Sequence, residues 1–161
     1  MEKFEVCVRV IIWQRNKILI CKHREKGYYF FLGGHLEFGE SIPQALSREI
    51  KEELGIDIKK YSFIGLVDNI YEEEGQKHHE INLVFDTKVD RIPKSRVIEE
   101  TKKDHIEFIL FDKKRFSKEK VLPTALQETI LKWQKAKKFF WVSQIKNKTI
   151  FHLLKENYEK R

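Results

Sequence analysis

The side chains of this chain that are best suited to chemistry lie in the segment REIKEELG, residues 48–55. Its charged members stand at fixed offsets from one another: Arg48, Glu49, Glu52 and Glu53. On a helix, carboxylates four residues apart repel each other by about 0.2–0.5 kcal/mol, and the helix dipole disfavours acids at the C-terminal end. A hard divalent cation would offset both penalties, since Mg²⁺ binds a few carboxylates together with phosphate oxygens and waters. The segment therefore indicates a magnesium site, with a solvated acidic helix face as the alternative.

The residues around this segment predict that it is helical. Ser41, followed three residues later by Gln44, forms a capping-box pattern with Ser41 as the N-cap, and Gly55 stands where a helix would end. The predicted helix spans 42–54, and its periodicity gives it an apolar stripe made of Ile42, Leu46, Ile50 and Leu54. The three glutamates lie along one margin of this stripe, at the boundary between core and solvent.

A glycine pair precedes the helix. Gly33 and Gly34 follow a short aromatic strand predicted over 28–32, so they lie at a strand-to-helix junction, where backbone groups can approach a phosphate or a metal. The aromatic side chains near this junction are open to two interpretations. They pack in the sheet, which we favour for most of them, or they form a slot that stacks a nucleobase: Trp13, Tyr28, Tyr29, Phe30 and Phe31.

These features form one continuous pattern. From Gly34 onward it runs glycine, five residues, Glu40, seven residues, Arg48-Glu49-Ile50, one residue, Glu52-Glu53, one residue and Gly55-Ile56. The chain thereby resembles Nudix hydrolases, because all nine fixed positions of the G-x5-E-x7-R-E-U-x-E-E-x-G-U box, with U aliphatic, are filled over 23 residues. The resemblance covers about residues 4–137. Many family members have proline before the two glycines, where this chain has Leu32.

The resemblance implies a fold and a reaction. The fold would be an α/β/α sandwich with a mixed β-sheet. The reaction would be the Mg²⁺- or Mn²⁺-dependent hydrolysis of a diphosphate linked to another moiety, usually in a nucleotide. Arg48 would orient Glu49, and Glu40 would brace the loop or act close to the metal. By position, the metal ligands would be the backbone carbonyl of Gly33 and three carboxylates, those of Glu49, Glu52 and Glu53.

The resemblance leaves the general base open. In Nudix enzymes a further carboxylate beyond the box often supplies a metal contact or the base. The best candidates here are Glu99 and Glu100, and Glu107 is the next candidate. Each of them could equally be an ordinary exposed acid without a role in the reaction. Glu52 or Glu53 could instead deprotonate the attacking water. The cations would neutralise the diphosphate oxygens, lower the pKa of a bound water and stabilise the leaving phosphate.

The rest of the chain predicts further strands and helices. Strands are expected over 4–13, 18–22, 61–71, 80–89 and 105–111, with a polar turn over 72–79 and a surface loop over 90–104. We interpret His78 and His79 in that turn as solvated rather than as metal ligands. A last helix is expected from about Lys148. Pro123 is expected to open a second helix, with an apolar stripe of Leu122, Leu126, Ile130 and Trp133.

Length and composition are typical of a soluble globular protein. With 161 residues, 41% of them hydrophobic, we expect a single domain over 1–161 that ends in a basic, aromatic extension over 138–161. Cys7 and Cys21 are expected to be buried free thiols, because they show neither CxxC nor zinc-site spacing. No apolar run approaches membrane-spanning length, and residues 1–10 lack a signal-peptide pattern. We therefore expect a cytoplasmic protein without membrane contact, and a monomer or homodimer, as is common among Nudix proteins of this size.

Positive charge is concentrated toward the C-terminus. The net charge is +7, and residues 113–161 carry 14 Lys or Arg against 4 acids, a local charge of +10. Such asymmetry attracts polyphosphate nucleotides or an RNA 5′ end, unless it only keeps the protein in solution. Two other functions stay open: a catalytically silent Nudix-fold nucleotide sensor, and an RNA-binding protein or RNA 5′-pyrophosphohydrolase that uses the basic C-terminal part. The sequence does not select one nucleoside diphosphate derivative as the substrate.

Overall fold

The computed structural model of the protein describes residues 2–89, 92, 106–145 and 148–153. Within them, nine strands and three helices follow one another along the chain. The helices are α1 (Ile42–Leu54), α2 (Lys113–Lys118) and α3 (Thr124–Ala136). The strands are β1 (Glu2–Gln14), β2 (Lys17–His23), β3 (Tyr29–Phe30), β4 (Ser62–Glu73), β5 (Gln76–Lys88), β6 (Ile106–Phe111), β7 (Val121–Leu122), β8 (Phe140–Ile145) and β9 (Lys148–Leu153).

The strands form one mixed sheet in the order β7-β3-β2-β1-β5-β4-β8-β9, and β6 pairs with β2. The central strand β1 pairs in parallel with β5 over residues 2–13. It meets β2 only beside their connecting turn. Along the rest of this edge of β1, the segment after β3 pairs with β1 through the isolated bridges Val10–Leu32 and Cys7–His35. The glycine loop is therefore tied along the central strand of the sheet.

Helices cover both faces of the sheet. The strand β1 alternates between them, because successive side chains of a strand point to opposite faces. Val8, Val10 and Ile12 belong to the apolar cluster that includes α1, whereas Ile11 belongs to the cluster that includes α2 and α3. Each fully buried aliphatic side chain of this kind contributes roughly 1.5–3 kcal/mol. This arrangement confirms the predicted α/β/α sandwich with a mixed sheet.

Helix α1 begins and ends where the sequence predicts. Ser41 is the N-cap, and its backbone N–H donates to Gln44 Oε1 at 2.9 Å. At the other end, Gly55 adopts the left-handed conformation with φ of 65°, and its N–H donates to the carbonyl of Lys51. The apolar stripe is buried from Leu46 onward, whereas Ile42, in the first turn, is 37% exposed. The caps and the apolar stripe thus predict which residues form α1 and which of its faces packs in the core.

The hairpin of β4 and β5 differs from the prediction. The polar turn predicted over 72–79 contracts to Glu74 and Gly75, whose φ values of 52° and 77° are those of a two-residue type I′ turn. The strands therefore continue through the polar residues. The interpretation of His78 as solvated is wrong, because its position inside β5 leaves it 8% exposed and hydrogen-bonded to a carboxylate of β1. His79, in the same strand, is half-buried.

The C-terminal part also requires corrections. The helix expected from Lys148 is wrong, because residues 148–153 form β9, which pairs antiparallel with β8. Since β8 pairs in parallel with β4, the expected C-terminal extension begins inside the sheet. Helix α2, with Asp112 as its N-cap, was not predicted. The loop predicted over 90–104 lies, apart from Ile92, outside the described residues.

The second predicted helix is confirmed as α3, which begins directly after Pro123. Leu126, Ile130 and Trp133 of its stripe are buried, whereas Leu122 lies in β7 and is 36% exposed. Among the described residues, no helix combines the length and the apolar character needed to cross a membrane.

Candidate metal centre

Helix α1 holds its acids at the edge of the core. Glu49 and Glu53 are 4% and 1% exposed, and the side chain of Glu52 is 29% exposed. They share one side of the helix because residues three and four apart are neighbours there. Removing a carboxylate from water costs several kcal/mol unless a positive partner compensates. This part of α1 therefore favours a cation.

Arg48 supplies one positive charge and ties the helix to the preceding loop. Its Nη1 donates to Glu49 Oε1 at 2.8 Å, while Nε and Nη2 each donate to Glu40 at 2.9 Å. Nη2 also donates to the carbonyl of His35 at 2.9 Å. The hydrogen bonds to Glu40 raise the pKa of Arg48 most; burial lowers it, and the hydrogen bond to Glu49 raises it again. Arg48 in turn lowers the pKa of Glu40. Arg48 therefore holds the carboxylate of Glu49 in a fixed orientation.

The two glycines bring the loop backbone against these acids. The N–H of Gly33 donates to Glu53 Oε2 at 2.9 Å. Gly33 has φ of 114°, a conformation that L side chains rarely adopt, and a Cβ there would overlap the carbonyl of Val8. A Cβ on Gly34 would overlap the carboxylate of Glu49. Position 33 therefore requires glycine for the loop to approach β1, whereas a side chain at position 34 would have to displace the Glu49 carboxylate, which Arg48 holds.

The groups assembled here fit a hard divalent cation. Carboxylate and carbonyl oxygens are the ligands that Mg²⁺ prefers. The carbonyl of Gly33 accepts one hydrogen bond, from Arg9 Nη1 at 3.2 Å, and a carbonyl oxygen has a second lone pair. The structure brings together the residues that the box predicts, and their roles as metal ligands and catalytic groups remain predictions: Gly33, Glu40, Arg48, Glu49, Glu52 and Glu53.

The remaining sequence candidates are three acids beyond the box and the aromatic residues before the glycine loop. Glu99 and Glu100 are outside the described residues, and Glu107 is exposed on β6. Of the aromatic residues before the loop, Phe31 is fully buried, and Tyr29 packs edge-on against Phe111 with ring centroids 5.0 Å apart. These contacts agree with sheet packing for those two residues.

A row of polar side chains on the other face of β1 was not predicted. At its centre, Arg9 donates from Nε to Asn82 Oδ1 at 2.8 Å and from Nη2 to Glu80 Oε1 at 3.3 Å. The side chains of Arg9 and Glu80 are only 13% and 6% exposed. The sequence contains a signal for this row, since Arg9 interrupts the apolar run VCVRVII, and Glu80 and Asn82 occupy alternate positions of β5.

The two cysteines are buried and are not joined in a disulfide, as predicted. Burial raises the pKa of the Cys7 thiol to about 12. Possible ligand atoms of Cys7, His35 and Glu80 lie within 4.8 Å of one another. However, the carboxylate of Glu80 is already occupied, because it pairs with the guanidinium of Arg9 and accepts hydrogen bonds from Tyr71 and Asn82. We therefore assign no metal to this group.

Comparison with known proteins adds an independent finding. The model of the NUDIX domain family matches residues 3–144. The NAD-capped RNA hydrolase NudC of Vibrio atlanticus is 39% identical over 61 residues, which are 37% of this chain and 23% of that protein. The ADP-ribose pyrophosphatase of Methanocaldococcus jannaschii is 37% identical over 83 residues, which are 50% of this chain and 48% of that protein. The chain thus spans about a quarter to a half of the length of these relatives.

Solved structures support the fold. The crystal structure of a MutT protein from Bacillus halodurans superimposes with a TM-score of 0.67 over 92% of this chain and 97% of that chain. The sequence identity of this pair is 17%, so the similarity concerns the fold alone.

Proposed function

This chain belongs to the Nudix family, and on that premise we propose that it hydrolyses a diphosphate bond in a nucleoside diphosphate linked to another moiety. Mg²⁺ is the proposed cofactor, and Mn²⁺ a possible substitute. One observation carries the proposal, namely the convergence of the α1 carboxylates with the Gly33–Gly34 loop, with Arg48 paired to Glu49 and Glu52. The negative charge of the α1 carboxylates exceeds the positive charge of Arg48, and carboxylate and carbonyl oxygens suit a hard cation.

The proposed roles follow from the contacts. Glu49, Glu52 and Glu53, with the carbonyl of Gly33, hold the metal, which when bound neutralises the diphosphate oxygens and acidifies a water. Arg48 fixes Glu49, and the N–H of Gly33 fixes Glu53. Glu52, the most exposed of the three acids, or Glu53 accepts the proton of the attacking water, with Glu99 and Glu100 as alternatives.

The relatives' names define the first substrates to test, ADP-ribose and NAD-capped RNA. The basic residues after position 112 favour the RNA more than the small nucleotide, because they add positive charge that attracts a polyanion. Within this proposal the chain acts as one domain, as a monomer or homodimer, and in the cytoplasm.

The deciding experiment compares Glu53→Gln with Glu128→Gln. Both changes remove one negative charge from a helix, but Glu53 is buried beside the loop and Glu128 is exposed on α3. We expect Glu53→Gln to lower metal-dependent turnover by about 10²-fold or more, since a metal ligand is lost. Its melting temperature stays equal or rises, because like-charge repulsion with Glu49 is relieved. Glu128→Gln leaves turnover unchanged.

The assay measures hydrolysis of nucleoside triphosphates, ADP-ribose, dinucleoside polyphosphates, nucleotide sugars, and NAD-capped and triphosphorylated RNA with Mg²⁺, Mn²⁺ or EDTA. Near-normal turnover by Glu53→Gln would remove its assigned role. Nucleotide binding by folded wild-type protein without turnover of any substrate would instead support the sensor.

A further inference from the structure

Arg9 is a buried cation that connects the polar face of the sheet with the glycine loop. Its three contacts lead to two segments, the strand β5 and the glycine loop: Nε donates to Asn82 Oδ1 at 2.8 Å, Nη2 to Glu80 Oε1 at 3.3 Å and Nη1 to the carbonyl of Gly33 at 3.2 Å. Asn82 and Glu80 belong to β5, so two contacts anchor the guanidinium to the sheet. The third contact reaches an atom that the proposed function uses.

The anchor of Arg9 is itself held in place. The side-chain amide of Asn82 donates to Asn69 Oδ1 at 2.7 Å and to the carbonyl of Val67 at 3.3 Å, both on β4. The hydroxyl of Tyr71 donates to Glu80 Oε1 at 3.4 Å. Because β4 and β5 are paired along most of their length, these contacts fix the direction in which the guanidinium points.

Fold stability gives only a weak reason for a charged pair at this depth. Replacing a buried ion pair with apolar residues of similar volume is often neutral or stabilising by about 1–4 kcal/mol. Burial lowers the pKa of Arg9, but the carboxylates of Glu80 and, more weakly, Glu53 raise it. The pKa is raised on balance, so the guanidinium remains charged. The contact of this permanently charged guanidinium with a carbonyl oxygen of the glycine loop therefore indicates a functional role.

That reason lies in the freedom of Gly33. A glycine loses more backbone freedom on folding than any other residue. The peptide group before Gly33 is held by Glu53 of α1, which accepts its N–H at 2.9 Å. The peptide group after Gly33 is held by Arg9 of β1, which donates to its carbonyl. The two rotatable bonds of Gly33 are thus fixed from two sides by charged groups.

We propose that Arg9 is a positioning residue that holds the carbonyl oxygen of Gly33 in the orientation needed to meet a cation bound by α1. The inference rests on the proposed function, since it takes that carbonyl to be a metal ligand. Groups that orient a metal ligand typically contribute 10–100-fold to metal affinity or activity. Arg9 acts through Gly33 and touches no reacting atom.

The test measures Mn²⁺ affinity by electron paramagnetic resonance on the full chain, separately from activity. Arg9→Met alone would strand the carboxylate of Glu80, so the main variant is Arg9→Met/Glu80→Gln. It removes both charges and keeps one of the two acceptor oxygens at position 80, which accepts from Tyr71 or from Asn82. We expect the folded double variant to bind Mn²⁺ about 10–100-fold more weakly. The control Glu80→Gln retains the contact between Arg9 and Gly33, and it binds Mn²⁺ close to wild type.

A second variant covers the case in which the double variant does not fold. Arg9→Lys keeps the buried charge pair but lacks the fork that reaches Asn82, Glu80 and Gly33 together, so weaker Mn²⁺ binding is expected here too. Wild-type affinity in the folded double variant, or in Arg9→Lys, overturns the positioning role. If wild-type protein binds Mn²⁺ but cleaves no substrate, the hydrolase proposal fails, and the Mn²⁺ affinities still decide the role of Arg9.

Discussion

The proposed metal centre depends on two glycines whose missing side chains make room for other groups. We expect Gly34→Ala to disrupt the site, because the added Cβ would overlap the Glu49 carboxylate. The neighbour that must move is itself held by Arg48 at 2.8 Å. Overpacking of this kind typically costs about 1–3 kcal/mol. Metal-dependent turnover should fall by about tenfold, because Glu49 is displaced from the proposed metal site; that fall corresponds to about 1.4 kcal/mol of lost transition-state stabilisation.

Gly27→Ala is the matched control for this variant. Gly27 has φ of 74°, and a Cβ there would meet nothing within 4 Å. Its cost is the backbone penalty alone, roughly 1–2 kcal/mol. Urea unfolding and steady-state kinetics on both variants separate the two effects. Equal turnover in Gly34→Ala and Gly27→Ala would show that the approach of Glu49 to the loop is not needed for activity.

At the scale of elements, part of the connection between α1 and its preceding loop depends on the ionised carboxylate of Glu40. Glu40 receives two hydrogen bonds from Arg48, and these lower its pKa below the ordinary value of 4.5. A carboxyl group with a lowered pKa stabilises the fold above its ordinary pKa, and this contribution is lost as the pH falls through the lowered value.

This sign gives a pH-dependent prediction for Glu40→Gln. At pH 7 the variant should melt at a lower temperature than wild type, because the charged pair with Arg48 is lost. Below the ordinary pKa of 4.5 the difference should shrink, as wild-type Glu40 becomes protonated as well. Thermal unfolding of both proteins across this pH range measures the effect. A difference in melting temperature that does not change with pH would contradict the assigned ion pair.

The elements also show which parts of the fold are determined by local sequence. Helix α1 was predicted to the residue, because its cap, its glycine stop and its apolar period all lie within 15 residues. The extent of β5 and the existence of β9 were not predicted correctly. Both are set by partners far along the chain, since β5 pairs with β1 and β9 pairs with β8. A polar segment such as QKHHE becomes a strand when a neighbouring strand satisfies its backbone.

The same distinction applies to the site. The acids of α1 and the glycine loop lie in one contiguous motif, so the sequence alone was enough to predict that they form a site. Arg9 was missed because its contact with Gly33 joins residues 24 apart, and its partners in β5 lie more than 70 residues away. An arginine within an apolar strand indicates a buried charge, but it does not name the partner. The register between β1 and β5 supplies that partner.

At the scale of the whole molecule, the uneven charge distribution provides a test that distinguishes RNA from small nucleotides as the substrate. Lys113, Lys114 and Lys118 are exposed on the short helix α2, within the basic C-terminal part. A protein that contacts phosphates of single-stranded RNA loses affinity with salt, with a slope of about −0.7 per neutralised phosphate on logarithmic axes. ADP-ribose offers only two phosphates and gives a shallow slope.

We therefore expect triphosphorylated RNA to bind with a steep salt dependence, and the triple change of these lysines to glutamine to reduce that slope by up to about 2. Fluorescence anisotropy in EDTA, with potassium chloride varied, measures binding without turnover. Hydrolysis of ADP-ribose by the same variant is the control and should be unchanged, because the lysines lie outside the proposed metal centre. An unaltered slope for RNA would mean that α2 does not contact the RNA backbone. It would favour the alternative that these lysines only keep the protein in solution.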